Sequence, residues 1–287
     1  MKLKTGLSLF LAVATLSLTI IGCKKEVAKT TPTATVDTDT SVASDNSSAD
    51  ALFTDAHNIT DQAAGGNVSF FPLYSSDGSN LSSEKSTCAT VTHDSLSTLR
   101  ILKINFGTTN CLSADGRYRR GQINVTYSGK YKDSASVHSI TFTDYFVNDN
   151  QVKGTKTVTN KGHNANGNLT FNISVIGEVI KANNEGTITW NSTRVREMLE
   201  GESTKNNSDD VYSITGSSSG VNAKGNTYSA IITTALHRAL NCKWFDAGVI
   251  EVSQTGKATK TINYGNGTCD SDATVTVNGT SYPFTMK

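Results

Sequence analysis

From Val68 onward, apolar and polar positions alternate along the chain with a period of two. Leu169, Phe171, Ile173, Val175, Gly177 and Val179 share one phase, and Thr170, Asn172, Ser174 and Glu178 share the other, although Ile176 and Ile180 break the polar side. The same alternation runs through Ile123 to Ser128, Ile140 to Thr143, Ile188 and Trp190, Ala230 and Ile232, Ile250 and Val252, Ile262 and Tyr264, and Val275 and Val277. Side chains of a strand point alternately to its two faces, so each run predicts a strand with one dry and one wet face. Asn148-Asp149-Asn150, Asn164 to Gly167 and Asn278-Gly279 supply the turns between them. The pattern predicts a mainly β protein: an antiparallel meander or sandwich, or a half-barrel. A membrane-spanning barrel also alternates but needs aromatic girdles, and aromatic residues make up only 7% of this chain.

Upstream, the period changes. Leu52, Ala56, Ile59 and Ala63 fall at helical spacing, Phe53 widens the stripe, Ser48 is placed to cap the start and Gly65-Gly66 to end it. One N-terminal helix over about 48–64, packed on the sheet, is expected. Residues 24–47 are rich in Thr, Ser, Ala and Asp and show no apolar period, which predicts a flexible tether.

The first residues read as a bacterial lipoprotein signal. Lys2 and Lys4 precede an apolar stretch from Leu7 to Ile21, and Ile20-Ile21-Gly22-Cys23 closes it. Cleavage before Cys23 would remove residues 1–22 and leave Cys23 to carry the lipid, palmitate included, so that residues 23–47 form a lipidated tether and 48–287 a single β-rich domain. Residues 7–22, sixteen in all, are short for a retained membrane helix. Lys24 follows the cysteine in place of the Asp that holds lipoproteins at the inner membrane. An outer-membrane location, lipid-anchored and facing the periplasm or the cell surface, is therefore expected.

Composition narrows the partners. Lys and Arg total 26 against 25 Asp and Glu. A near-neutral chain has no electrostatic reason to seek nucleic acid.

Apart from Cys23, four cysteines remain: Cys88, Cys111, Cys242 and Cys269. Four in an exported protein suggest two disulfides. The run INFGTTNC ends at Cys111 and INYGNGTC at Cys269, and each has a cysteine a short way upstream. Two strand patterns joined at Thr255-Gly256-Lys257 lie between Cys242 and Cys269, a hairpin with a cysteine at each open end. The repeat pairs Cys88 with Cys111 and Cys242 with Cys269. It also raises two related β units, about 48–202 and 203–287. Free buried thiols are the alternative; a zinc site lacks a Cys-x-x-Cys or paired histidines.

These residues carry a resemblance. Cys88, INFGTTNC, Asp115 to Gly121, Gly154 to Asn160 and Tyr264 to Asp270 resemble a set of uncharacterised Bacteroidota outer-membrane lipoproteins with two Cys-stapled INFG/INYG…C hairpins. The resemblance covers most of 48–287. It implies a β-rich envelope lipoprotein and transfers no catalytic residue.

Candidate chemistry is sparse. Gly216 to Gly220 matches G-x-S-x-G, but no helix pattern follows Ser218, so the run reads as a loop or weak strand. His57, His93, His138, His163 and His237 show no metal-ligand spacing, and no cofactor is indicated. Glu197, Glu200, Glu202 and Asp209-Asp210 supply carboxylates for a glycosidase, but Arg194 and Arg196 beside them suggest surface pairing. Asp270-Ser271-Asp272 offers oxygen ligands to calcium, against an ordinary turn. Arg117, Arg119 and Arg120 form the one basic knot, suited to a phosphate or to a solvated hairpin end. Trp190 and Trp244 lie in strand patterns and suit either the core or stacking on a sugar. Arg117, Arg119, Trp190 and Trp244 are thus the candidate ligand contacts. The expectation is a lipid-anchored binding or scaffolding protein without catalysis, its partners being the membrane through Cys23 and envelope proteins or glycans. A carrier of a lipid or other hydrophobic ligand is the first alternative and a glycan hydrolase the second. An apolar lining left unfilled by the helix around Leu52 and Phe53 would favour the carrier.

Overall fold

The computed structural model describes residues 37–64, 89–94, 99–113, 115–204 and 207–286. Val36–Lys287 form one compact unit. Among the described residues one α-helix, α1 (Ser41–Ala64), precedes fourteen strands: β1 (Thr90–Asp94), β2 (Arg100–Asn105), β3 (Cys111–Leu112), β4 (Tyr118–Tyr127), β5 (Val137–Val147), β6 (Asn150–His163), β7 (Leu169–Ile180), β8 (Thr187–Glu200), β9 (Val211–Val221), β10 (Thr227–Ala239), β11 (Ala247–Ser253), β12 (Lys260–Asn266), β13 (Asp272–Val277) and β14 (Thr280–Thr285). They build one antiparallel sheet in sequence order, with the short β3 paired to β4 off the main path. The expected β class and single helix are found, and the meander stays one open layer, so no second sheet packs on it as in a sandwich. β8 and β9, on either side of the 202/203 boundary, pair from Thr189↔Val221 to Glu200↔Val211 with one register shift between Met198 and Glu200.

Local chemistry sets the hairpins. Asn148 and Asn278, with Asp149 and Gly279 after them, all take positive φ. They form two-residue loops between Val147 and Asn150 and between Val277 and Thr280. Such turns match the right-handed strand twist and favour Asn, Asp and Gly.

The helix starts earlier than its apolar spacing indicates. It begins at Ser41, where the Asp39 carboxylate accepts the Ser41 N–H at 2.9 Å. Ser48, the expected cap, lies inside it, and residues 41–47 are helix rather than tether; Val42, Ala43, Asp45, Asn46 and Ser47 are buried. The expected Gly65-Gly66 stop lies outside the described residues.

The reason is where the helix sits. It touches β2 and β4 near one end of the strand order, β8 in the middle and β12 near the other end. No residue from Ser41 to Ala63 is exposed. The sheet therefore curls round the helix. A helix enclosed on most sides needs no single apolar stripe, and Ala43, Ala49, Ala56 and Ala63 let strands approach closely. Phe53 anchors the middle, stacking on Trp190 with ring centroids 5.7 Å apart and meeting Phe142 edge-on at 5.8 Å. Among the described residues no helix is long and apolar enough to cross a membrane.

Candidate functional site

The inner wall of the sheet is unusually polar. Lys156, Arg194, Arg196 and Lys260 stand at positions in phase with apolar neighbours and are buried, as is Arg119. A buried charge needs a partner, and the helix and the segment just before it supply one at intervals. Asp37 pairs with Lys260 at 2.8 Å, Asp45 with Lys181 at 3.4 Å, Asp50 with Arg194 at 2.8 Å and Asp55 with Arg119 at 2.9 Å. Lys156 donates to the Phe53 carbonyl at 3.2 Å, and its burial pushes the ammonium pKa down to about 8. Asn46 Oδ1 accepts from both Trp190 Nε1 at 2.9 Å and Ser218 Oγ at 2.8 Å.

These contacts settle several sequence candidates. Trp190 is core, its indole N–H used on the helix. Arg119 is fully buried and clamps Asp115 and Asp55 together, so the basic knot is no solvated hairpin end. Arg194 and Arg196 face the helix and do not form surface pairs with the nearby glutamates. Glu197 instead accepts from Asn164 and Asn168, both at 2.8 Å, which lowers its pKa, and Glu202 meets His163 at 2.7 Å. Ser218 lies inside β9, which runs on to the β9–β10 turn rather than into a helix, so the nucleophile-elbow geometry is absent. Asp270 uses its carboxylate to accept the Asp272 N–H at 2.9 Å. Among the described residues no cluster of His, Cys, Asp and Glu is arranged to hold a metal ion.

The Cys242–Cys269 disulfide is present. Cys88, and with it the Cys88–Cys111 pairing, lies outside the described residues. Trp244 departs from its expected strand. It sits in the connection between β10 and β11, just after Cys242, where its carbonyl accepts Arg238 Nη1 at 2.6 Å.

Among the openings beside the helix, two bear on function. The first is a narrow groove between α1 and the β10–β11 connection, walled also by Tyr264, Phe284 and Met286, with a cavity of about 70 Å³. Arg117, Asp115, Asp55, Lys243 and Trp244 line it, so two of the four sequence candidates, Arg117 and Trp244, meet here. Burial pushes the Asp55 carboxyl up, but Arg119 and Arg117 outweigh it and hold the pKa below the usual range. The second opening is a cleft of about 420 Å³ near the C-terminal end of α1, lined by Asp61, Tyr131, His138, Lys132, Asp210 and Tyr212 among others. Burial pushes the Asp61 carboxyl up to about 7, against the pull of Arg196 and Lys156, and burial also raises Asp210. His57 Nε2 lies 3.2 Å from Asp61 and 2.8 Å from Arg196 Nη2, and burial beside Arg196 keeps its ring neutral. Sequence reading named Asp210 among candidate carboxylates and missed Asp61. Asp61 and Asp210 lie far apart in the chain, and only the closure of the sheet round the helix brings them to one cleft.

Comparison with family models, with curated proteins and with solved structures finds no match to this chain.

Proposed function

We propose that this is a lipid-anchored outer-membrane protein, held through Cys23, with a non-catalytic binding or scaffolding role at the cell envelope. The observation that supports the reading most is the filling of the sheet's concave face by α1. A hydrophobic cargo needs several hundred Å³ of enclosed apolar space; the groove beside the helix holds about 70 Å³, and the wall behind the helix is lined with ion pairs. The larger cleft of about 420 Å³ carries Asp61, Lys132, His138 and Asp210 in its wall, which counts against a hydrophobic cargo there. What remains for partners is the rim of the helix and the hydroxyl-rich outer face. The lipoprotein signal and the resemblance to Bacteroidota lipoproteins support the location. Native mass spectrometry of the chain extracted in nonionic detergent tests the role, and palmitate labelling of wild type and Cys23→Ala tests the anchor. We expect label only on wild type and a mass that contains no exchangeable cargo. A lipid that leaves on activation would replace the scaffold reading with a carrier.

One observation favours a second reading, glycan hydrolysis. Asp61 and Asp210 line the same cleft and both have raised pKa values, as a proton-donating carboxyl requires, beside tyrosines able to pack on a sugar. It stands if Asp61→Asn and Asp210→Asn each abolish release of reducing sugar from a cell-wall or capsular polysaccharide. It falls if wild type releases none.

A further inference from the structure

The groove between α1 and the β10–β11 connection carries more positive than negative charge. Arg117, Arg238 and Lys243 line it against Asp55 and Asp115, with Arg119 directly behind the two carboxylates. Arg117 and Arg119 spend their charge on Asp55 and Asp115. Lys243 does not. It is half-buried, its Nζ stands 5.4 Å from the Trp244 ring centre, and it makes no ion pair among the described residues. Burial and the neighbouring Arg117 and Arg119 lower its pKa against the pull of Asp115 and Asp55, whose carboxylates are already engaged by those arginines. Two further groups are unused. The Trp244 indole N–H and both amide atoms of Gln62 have no hydrogen-bond partner, although Trp244 is only 9% and Gln62 only 6% exposed, and both residues line the groove. A buried polar atom without a partner calls for an explanation, and these line an opening that a ligand can enter.

We propose that this groove is a binding site for a small oxyanion, a phosphate or carboxylate group, with Lys243 supplying the charge and the Trp244 indole N–H a hydrogen bond. The inference deepens the binding reading above and rests on it. Size fits the class. A water needs roughly 10–15 Å³ of such space, so a cavity of about 70 Å³ suits a small charged group. Phe245, Phe284 and Met286 form an apolar side of the groove, where a charge-assisted bond is strengthened, and Ser48, Thr54 and Asn58 line the helix side. The anion is either a free ion or the charged end of a larger molecule whose body stays outside.

The two tryptophans make the test internally controlled, because the Trp190 N–H is already bonded to Asn46. The indole N–H signals of the 15N-labelled chain in nonionic detergent are followed during titration with inorganic phosphate and, separately, with acetate. We expect the Trp244 signal to move saturably with at least one probe while Trp190 stays still. Lys243→Met, which removes no ion pair, should weaken the midpoint at least tenfold. Trp244→Phe, which keeps a ring and removes the donor, should weaken it several-fold. Preference for phosphate assigns a tetrahedral group and preference for acetate a carboxylate. A Trp244 signal that is static with both probes to about 50 mM, equal drift of both indoles, or an unchanged midpoint in Lys243→Met would each overturn the site. None of these results bears on the presence of a lipid cargo, which the native mass alone decides.

Discussion

Arg119 Nη2 on β4 donates to both carboxylate oxygens of Asp55 on α1, at 3.0 and 2.9 Å, while the same guanidinium grips Asp115 at 2.9 and 2.8 Å. One fully buried cation thus ties the helix to the sheet and to the turn before β4. Removing one member of a buried pair costs more than the pair contributes, because the survivor is left unpaired. Asp55→Ala should cost about 3 kcal/mol in urea unfolding at neutral pH. Arg119→Lys should not preserve stability, since a point charge cannot hold two carboxylates by a planar fork. The folded Asp55 pKa lies below its unfolded value near 3.8, so its contribution is present above that value and lost as pH falls through the lower folded one. The gap between wild type and Asp55→Asn should accordingly narrow below about pH 4. A gap that does not change with pH would show that the ion pair is not the source.

A second prediction tests the packing of the helix against the sheet. A Cβ at Gly177 on β7 would lie 2.2 Å from Phe53 Cζ and 2.5 Å from Cε2. Phe53 cannot retreat freely, because Trp190 and Phe142 hold its other sides. Gly177→Ala should destabilise by about 1–3 kcal/mol through overpacking. Phe53→Leu should relieve part of that, giving a favourable coupling in a double-mutant cycle. Simple additivity of the two changes would mean that ring and strand do not meet.

The strands were legible because period two is a local signal, and Gly177 was already in phase with Phe171, Val175 and Val179. The helix start was not. Residues 41–47 carry no apolar stripe, since the wall they meet is itself polar: Asn46 faces Trp190 Nε1 and Ser218, and Asp45 faces Lys181. A sequence signal for this did exist. Arg194 and Arg196 share the phase of Trp190 and Met198, Lys260 that of Ile262, and Lys156 that of Val152 and Val158, which places cations on the inner face. Taken with the spaced acids Asp45, Asp50 and Asp55, they describe a charged socket for a helix. The groove at Lys243 and Trp244 was half legible. Arg117 and Trp244 were candidates, but their meeting depends on how the β10–β11 connection folds over α1, which no local pattern encodes.

That connection is held by the Cys242–Cys269 disulfide, spanning 27 residues. In the chain-entropy account a loop of this length contributes about 3–4 kcal/mol. The paired variant Cys242→Ser with Cys269→Ser should lose about that much in denaturant unfolding under non-reducing conditions. A variant as stable as wild type would place the restraint on the connection in its other bonds, such as Gly267 N to the Asp246 carbonyl at 2.7 Å.

Asp61 offers a test whose sign is opposite to that of Asp55. Its folded pKa is raised from 3.8 to about 7, so between those values the folded state holds a proton that the unfolded chain has released. Stability from this group is therefore full below about pH 4 and falls as pH rises through 7. The shift corresponds to about 4 kcal/mol at most. The side chain keeps 18% of its exposure and faces Arg196, Lys156, His57 and Asp210, so a change of about 1–2 kcal/mol is the expectation. His57 works the other way, because its neutral folded ring resists protonation below its usual pKa, and stability from it grows with pH. Comparing Asp61→Asn with wild type cancels most of the histidine contribution, which both chains share. The stability of Asp61→Asn relative to wild type should thus rise by about 1–2 kcal/mol between roughly pH 4.5 and 8, measured by urea unfolding at each pH. A constant difference would mean that Asp61 is ionised throughout and paired with Arg196. The cleft would then lack the proton donor that glycan hydrolysis demands.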